Sequence, residues 1–326
     1  MNSPISNGQT VRTAVVLGAG ASRAVSYAHQ GGNLSPLDGD FFDLLGRLRG
    51  LAGNQTKSRA WVFKQLDTLS QNQRESLERS FYTLHLRALM ASKLDAKLSY
   101  DEQTVVSNFV ICIDATLRAA HGKRTCERHA SLFAGLNDND VILTFNYDLV
   151  AERALRVQAG RSDKFDPGIY GFDNSLGYCG PRLLKLHGSS NWILNQQVFE
   201  VRTKKWSDLE KSPNYRAALG GKGTTFAIFL PFWEKRVEQA PWLSLWKKAM
   251  AALKNVDRLI IWGYSLPPTD IRTEQLFELS INKRAIDLCV IDPSESTRSR
   301  WRTRLPSARY WQYRSISDYL KEPPDW

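Results

Sequence analysis

Four short apolar runs in this chain each end in a compact polar turn. They are Val15-Val-Leu-Gly-Ala-Gly-Ala-Ser22, Val141-Ile-Leu-Thr-Phe-Asn-Tyr-Asp148, Leu183-Leu-Lys-Leu-His-Gly-Ser189 and Leu259-Ile-Ile-Trp-Gly-Tyr-Ser-Leu-Pro-Pro-Thr-Asp270. Continuous apolar runs of this length suit strands buried on both faces of a parallel sheet. Such sheets bind ligands in the crevice beyond the carboxyl ends of their strands. If the four runs are neighbouring strands, their polar turns meet on one rim, where a nucleotide could be held by several turns at once.

The segments between the runs complete an α/β pattern. Residues 13–17 read as the first strand, and 18–28 as the turn and helix that follow. The stretch from Gly31-Gly-Asn33 to Pro36-Leu-Asp-Gly-Asp40 reads as loop. Helical spacing then dominates to about Leu136, carried by Leu66, Leu69, Leu77, Phe81, Leu84 and Leu89 and again by Val105, Phe109, Cys112, Ile113 and Leu117. A helical insertion over 57–136 is expected. Strand–helix units resume at Val141, with helices over 148–157, 243–253, 271–281 and 295–304 and strands over 183–186, from 259, and over 285–291. Residues 191–240 read as a small irregular insertion with short apolar pieces at 198–201 and 225–230. The expected fold is therefore α/β, a Rossmann-like doubly wound parallel sheet formed by 13–56 and 140–326, within one domain spanning 1–326.

Bulk properties narrow the setting. No apolar stretch of the 326 residues approaches the ~20 needed to span a bilayer, and Met1 to Thr10 lacks the basic and apolar regions of a signal peptide, so a cytoplasmic protein without membrane contact is expected. Cys112, Cys126, Cys179 and Cys289 are far apart in sequence and none forms a Cys-x-x-Cys pair, which predicts reduced thiols, no zinc module and no metal. The formal net charge of +11 favours acidic partners such as a dinucleotide, a nucleic acid or an acidic protein surface. Its densest stretch carries Arg298, Arg300, Arg302, Arg304 and Arg309 among Trp301, Tyr310, Trp311 and Tyr313. That mixture permits nucleic-acid contact. A solvated helix face followed by an edge strand is the simpler account of it.

Each turn carries residues with chemistry. Gly18-Ala19-Gly20-Ala21-Ser22 follows a strand and opens a helix, where glycines allow close backbone approach to a pyrophosphate. Only half of the Gly-x-Gly-x-x-Gly pattern is present, because Arg23 occupies the last position, where it could pair with phosphate. Asn146 and Asp148 are good helix caps, and an amide beside a carboxylate at a strand end can also orient a ribose or a water. His187, after a strand and before Gly188, is placed for proton transfer. Gly263 gives a second glycine turn, Ser265 can donate to a phosphate, and Asp270 reads as the cap of the next helix. Asp292, at the end of a further strand, fits an acid that binds ribose hydroxyls.

The set and its order resemble the sirtuin family, specifically the sirtuin-like domains of bacterial antiviral defence. Gly18-Ala-Gly-Ala-Ser22 resembles the sirtuin Gly-Ala-Gly-x-Ser, Thr144-Phe-Asn146-Tyr-Asp148 resembles Thr-Gln-Asn-x-Asp, and His187-Gly188 resembles the catalytic His-Gly. Gly263-Tyr-Ser265 is similar to the later Gly-Thr-Ser, and Val290-Ile-Asp292 to the strand end that holds the adenosine ribose. The forms Pro36-Leu-Asp-Gly-Asp-Phe-Phe42 and Lys185-Leu-His-Gly-Ser-Ser-Asn-Trp192 look like the defence branch. The resemblance implies NAD as substrate. Asn146 would orient the nicotinamide ribose or the attacking water, His187 would act as general base or bond the ribose hydroxyls, Asp148 would support the nicotinamide end, and Asp40-Phe41 would match the Asp-Phe that covers it. Three departures stand out: no paired Cys-x-x-Cys module, Phe42 where deacylases carry Arg, and a helical block that deacylases lack.

Those departures favour an NAD glycohydrolase that cleaves the nicotinamide–ribose bond, as a regulated antiphage effector that depletes NAD. Two alternatives remain open at this point: a protein deacylase or ADP-ribosyltransferase using the same site, and a non-catalytic NAD- or ADP-ribose-binding module. The chain closes soon after its last strand–helix unit, so control is expected from a homo-oligomer or from a separate regulatory protein, an ATPase or a nucleic-acid-guided sensor.

Overall fold

In a computed structural model, the strands are β1 (Thr13–Leu17), β2 (Val141–Thr144), β3 (Arg182–Lys185), β4 (Gly188–Asn195), β5 (Glu200–Thr203), β6 (Thr224–Ile228), β7 (Arg258–Trp262), β8 (Asp287–Ile291) and β9 (Arg309–Tyr313). The structure describes residues 11–27, 33–158, 167–170, 179–195, 200–203, 224–228, 242–268, 270–281 and 284–326. The opening decapeptide, Ala28, the Gly31-Gly32 pair, Val198 and Leu230 lie outside the described residues.

Six strands form one parallel sheet in the order β3-β2-β1-β7-β8-β9. From β1 the chain builds outward one way through β2 and β3, and later the other way through β7, β8 and β9. The topological switch point therefore falls between β1 and β7, where open α/β sheets present their crevice. Register brings the turns level: Leu17 lies opposite Thr144 on one side and Trp262 on the other, and Thr144 lies opposite Lys185. The apolar runs are buried on both faces, which is why they are continuous rather than alternating.

The helices fall into two groups. Helices α1 (Ala19–Arg23), α6 (Glu127–Phe133), α7 (Val150–Gln158), α8 (Trp242–Leu253), α9 (Ile271–Ile281), α10 (Glu295–Arg304) and α11 (Ile316–Lys321) accompany the sheet. A separate layer contains α2 (Phe41–Arg47), α3 (Gly53–Leu66), α4 (Leu77–Lys93) and α5 (Glu102–His121), built around Phe41, Leu45, Val62, Phe81, Leu84, Phe109 and Ile113. Phe81 and Phe109 meet edge to face at 5.3 Å. Burying side chains of that size contributes about 1.5–3 kcal/mol each. Capping sets where the two longest helices begin: Ser76 Oγ accepts from the Arg79 amide and Asp101 from the Thr104 amide.

The helical block differs from the sequence expectation at both edges. The helical pattern from Phe41 is matched by α2, and Phe41 and Leu45, on the core side of the expected boundary at 57, bury into the same cluster as Phe109. Near its other end, α6 packs with the sheet: Leu132 and Phe133 join the main core, and the His129 ring lies 4.2 Å from Trp262. The expected irregular insertion at 191–240 also contains more order than its composition suggested. Strands β4, β5 and β6 form an antiparallel sheet in the order β5-β4-β6. Strand β4 carries Ser189, Ser190 and Asn191 directly after its first residue, Gly188, all three buried, and polar residues read as loop in a sequence.

The basic stretch near the carboxyl end resolves into α10 and the edge strand β9. Several of its arginines serve the fold. Arg298 donates to the Asp292 and Pro293 carbonyls, Arg300 to those of Ser265 and Leu266, Arg304 pairs with Glu274, and Arg309 with Asp287. No helix among the described residues is long and apolar enough to cross a membrane. Among the described residues no group of three or more His, Cys, Asp or Glu is placed to hold a metal.

Candidate active site at the switch point

The two glycine turns at the switch point pack directly against each other. A Cβ on Gly18 would lie 2.4 Å from the Gly263 carbonyl oxygen, one on Gly20 2.8 Å from Gly263 Cα, and one on Gly263 2.2 Å from the Ala21 nitrogen. Gly263 also has φ +61°, a left-handed conformation that favours glycine. The Gly18 amide donates to the Trp262 carbonyl and the Gly20 amide to that of Gly263, while Ala21 donates back to Gly18. The sequence reading attributed these glycines to approach by a pyrophosphate. Their geometry answers first to the contact between β1 and β7, and a phosphate at this turn would have to meet other amides.

Asn146, just past β2, reaches across to that turn. Its Nδ2 donates to the Gly18 carbonyl at 2.7 Å and to Ser22 Oγ at 2.9 Å. Ser22 in turn donates to Asp148 Oδ2 at 2.6 Å, and Asp148 Oδ1 accepts from the Val150 amide. Burial opposes ionisation of Asp148, yet the charges of His121 and Lys185 and the Ser22 hydrogen bond hold its carboxyl below the usual range. Asp148 is thus buried behind Ser22 and fixes the serine that steadies Asn146. Beneath it, Lys185 Nζ donates to the Asp148 carbonyl and to Glu152 Oε1, which also accepts from Tyr170. Asn191 Nδ2 donates to the Tyr170 hydroxyl and ties β4 into this network.

His187 follows β3 in the turn that leads to β4. Its ring lies edge-on to Phe145 at 5.0 Å, and Phe145 stacks on Tyr264 at 4.3 Å. These rings connect the turns after β2, β3 and β7. His187 Nε2 lies 3.5 Å from Asp270 Oδ2, which accepts from the Tyr264 hydroxyl at 2.8 Å. Burial and the Asp270 charge push the Tyr264 phenol well above its usual range, so Tyr264 stays a donor. Asn146 and His187 therefore belong to one contiguous rim.

The other candidate residues take varied positions. Asp40 pairs with Arg23 at 2.7 Å and accepts from the Leu37 amide, so Arg23 is engaged by a carboxylate and by the Ser35 carbonyl. Phe41 is buried in the core of the helical layer, edge to face with Phe42. Ala19, Ala21 and Ser22 form the short helix α1 with Gly20. Ser265 is exposed, and its carbonyl is bound by Arg300. Asp292 is buried at the end of β8, accepting from the Ser294 amide, and burial raises its carboxyl above the usual range.

Sequence reasoning missed Tyr264 and the side chain of Asp270. The available signal was an acid within a proline-fixed turn of the same crevice as a strand-end histidine. It also missed that the helical layer reaches the rim. Asp38 Oδ1 accepts from the Glu78 amide in the first turn of α4, clamping the 38–40 turn to that layer. Burial and the charges of Glu78, Asp270 and Asp38 all raise the Tyr147 phenol.

No family model matches the chain, and no curated protein does. Solved structures similar to it include Sir2 proteins. A Sir2 homologue in complex with NAD aligns at a TM-score of 0.48 and 14% identity, over 96% of this chain and 87% of that one. A histidine-to-asparagine mutant of a Sir2 homologue, in complex with ADP-ribose, aligns at 0.44 and 14%, over 96% and 90%. Sir2 bound to EX-527, 2'-O-acetyl-ADP-ribose and a deacetylated p53 peptide aligns at 0.43 and 11%, over 96% and 91%. Scores and identities of this size carry no residue role or activity across, since fold alone does not fix function.

Proposed function

We propose that this chain is a sirtuin-like NAD glycohydrolase. The observation that carries the reading is the convergence of Asn146 and His187 on one rim of the switch-point crevice, linked through Gly18, Ser22, Phe145 and Tyr264. Water adds to the ribose carbon as the bond to nicotinamide breaks, giving nicotinamide, ADP-ribose and a proton. Nicotinamide leaves readily from an oxocarbenium-like transition state, so positioning and electrostatics supply most of the catalysis. Asn146 orients the ribose or the water, and His187 accepts the proton of water or of a ribose hydroxyl. The donor set fits a dinucleotide at its two sugar ends, with Asn146 and His187 at one and Asp292 at the other. The interlocked glycines contribute shape rather than free amides.

The same reading makes the enzyme a cytoplasmic antiphage effector that depletes NAD, controlled by self-assembly or by a separate regulatory protein. The test is nicotinamide release and NAD consumption by the purified chain across a wide range of concentrations, beside Asn146→Ala and His187→Ala. Turnover lost by at least about 100-fold in both variants is expected, with NAD binding retained. Tight NAD binding without turnover, at any concentration and with the proteins encoded alongside, would leave a binding module instead.

A further inference from the structure

Asp270 lies at the start of α9, where a carboxylate is ordinarily read as a helix cap. The Glu274 amide does donate to its main-chain oxygen, as in any first turn. Its side-chain Oδ2, however, is shared by the Tyr264 hydroxyl at 2.8 Å and His187 Nε2 at 3.5 Å. All three groups are buried. A separation of 3.5 Å is long for a hydrogen bond, but such contacts in proton-transfer sites tighten when substrate is bound.

The loop that delivers this carboxylate is built at a cost. Leu266 is buried yet has φ +48°, a conformation unfavourable for a side chain by about 1–3 kcal/mol. Contacts from α10 hold it there. Arg300 donates to the Ser265 and Leu266 carbonyls, and Trp301 Nε1 donates to the Tyr264 carbonyl at 2.8 Å. Asp270 itself is closed onto the loop by its amide, which donates to Pro267. The clamp thus fixes both members of the Tyr264–Asp270 pair against the His187 ring.

We propose that Asp270 is a positioning residue for His187, holding the ring in the tautomer protonated at Nε2, with Tyr264 orienting the carboxylate. This rests on the NAD-cleaving reading above. A neutral imidazole has one donor and one acceptor nitrogen, so a carboxylate at Nε2 assigns the proton to that atom and the basic lone pair to Nδ1. It also stabilises the imidazolium that forms once Nδ1 has taken a proton. Of the acidic groups on the helical layer, Glu78 of α4 raises the Tyr264 phenol in the same sense as Asp270, and Glu78, Asp270 and Asp38 together raise the neighbouring Tyr147 phenol.

The experiment is nitrogen–proton NMR of the histidine rings in the full chain labelled with 15N-histidine, with His187 assigned by its loss in His187→Gln. The wild type is expected to show His187 protonated at Nε2. Asp270→Asn is expected to give a mixed or Nδ1-protonated ring and a lower titration midpoint. Tyr264→Phe, which keeps the ring volume, should shift the same signals less and serves if Asp270→Asn fails to fold. In NAD turnover, Asp270→Asn should lower kcat by about 100-fold or more with little change in KM, Asp270→Glu should restore part of it, and Asp270→Asn should cost nothing further in a His187→Ala background. A His187 tautomer and midpoint unchanged in both variants overturns the proposal. Because the NMR arm needs no turnover, an inactive wild type counts against the NAD-cleaving reading alone.

Discussion

Two buried acid–base pairs stand two residues apart at the carboxyl end of β3, and they are built differently. Lys185 meets Glu152 at 2.9 Å with both side chains almost wholly enclosed, at 1% and 0% exposure. His187 meets Asp270 at 3.5 Å, at 9% and 5%. Lys185 points into a network closed by the Asp148 carbonyl, Tyr170 and Asn191, where its charge satisfies buried acceptors. His187 points to a carboxylate on a loop from the far side of β1, with the Phe145 and Tyr264 rings packed alongside. The contrast separates a pair that ties β3 to α7 from one that sets the tautomer of a ring. An ammonium with three donors suits the first, and an imidazole with one donor and one acceptor nitrogen suits the second.

The largest expected effect would break the first pair. Lys185→Met leaves Glu152 buried without its partner and should cost about 3–5 kcal/mol, read as a fall in the urea midpoint. Replacing both members with apolar residues of similar volume should recover most of that loss. By contrast, His187→Ala should leave the midpoint close to wild type while removing turnover. If the two single variants lose equal stability, the distinction between the pairs is wrong.

Next in size is the contact between the glycine turns. Gly263→Ala should cost about 1–3 kcal/mol, because its Cβ would press on the Ala21 nitrogen and its φ is positive. Calorimetry should show the lowered Tm in the ligand-free protein. A variant of normal Tm that had lost only NAD affinity would restore the pyrophosphate explanation for these glycines.

Acid sensitivity sharpens the comparison further. Burial pushes His129 down to about 3 against the pull of Asp148, and His121 is lowered by burial too. Unfolding lets both rings take up protons at their ordinary pKa of about 6.5, so the unfolded state binds more protons below that pH. Stability is fully retained above about pH 6.5 and declines as the pH falls toward 3, by up to about 1.4 kcal/mol per pH unit for one such ring. His129→Met should flatten that slope in denaturation curves taken at successive pH values. An unchanged slope would place the acid sensitivity elsewhere.

A modest stability change is expected of Asn146→Ala. It removes two hydrogen bonds on a partly exposed side chain and should cost about 1–2 kcal/mol. Urea titration measures this directly, and the accompanying loss of NAD turnover should far exceed it.

Much of the architecture was legible in the residues. A strand buried on both faces must be continuously apolar, so β1, β2, β7 and β8 announce themselves, and the expected helix over 295–304 matches α10. The antiparallel sheet escaped notice because β4, after Gly188, runs through serines and an asparagine whose burial only the surrounding network permits. The helical pattern from Phe41 onward was legible, but its assignment to the sheet core up to residue 56 or to the helical layer depends on Phe109 packing against Phe41 and Leu45. Asn146 and His187 could be nominated from their positions at strand ends. Asp270 could not be joined to His187, because that contact depends on strand order rather than on any local spacing.

What the sequence determined by itself was the set of strands and the polar residue types at their carboxyl ends, since burial pattern and turn chemistry are local properties of the chain. Tertiary structure alone decided which ends are neighbours: that Gly18 packs on Gly263, that Ser22 bridges Asn146 to Asp148, and that Tyr264 and Asp270 face His187. These are contacts between segments far apart in the chain, or between a loop and a ring across β1. Their energies depend on sheet order and on the exclusion of water, and neither is written in a neighbourhood of residues.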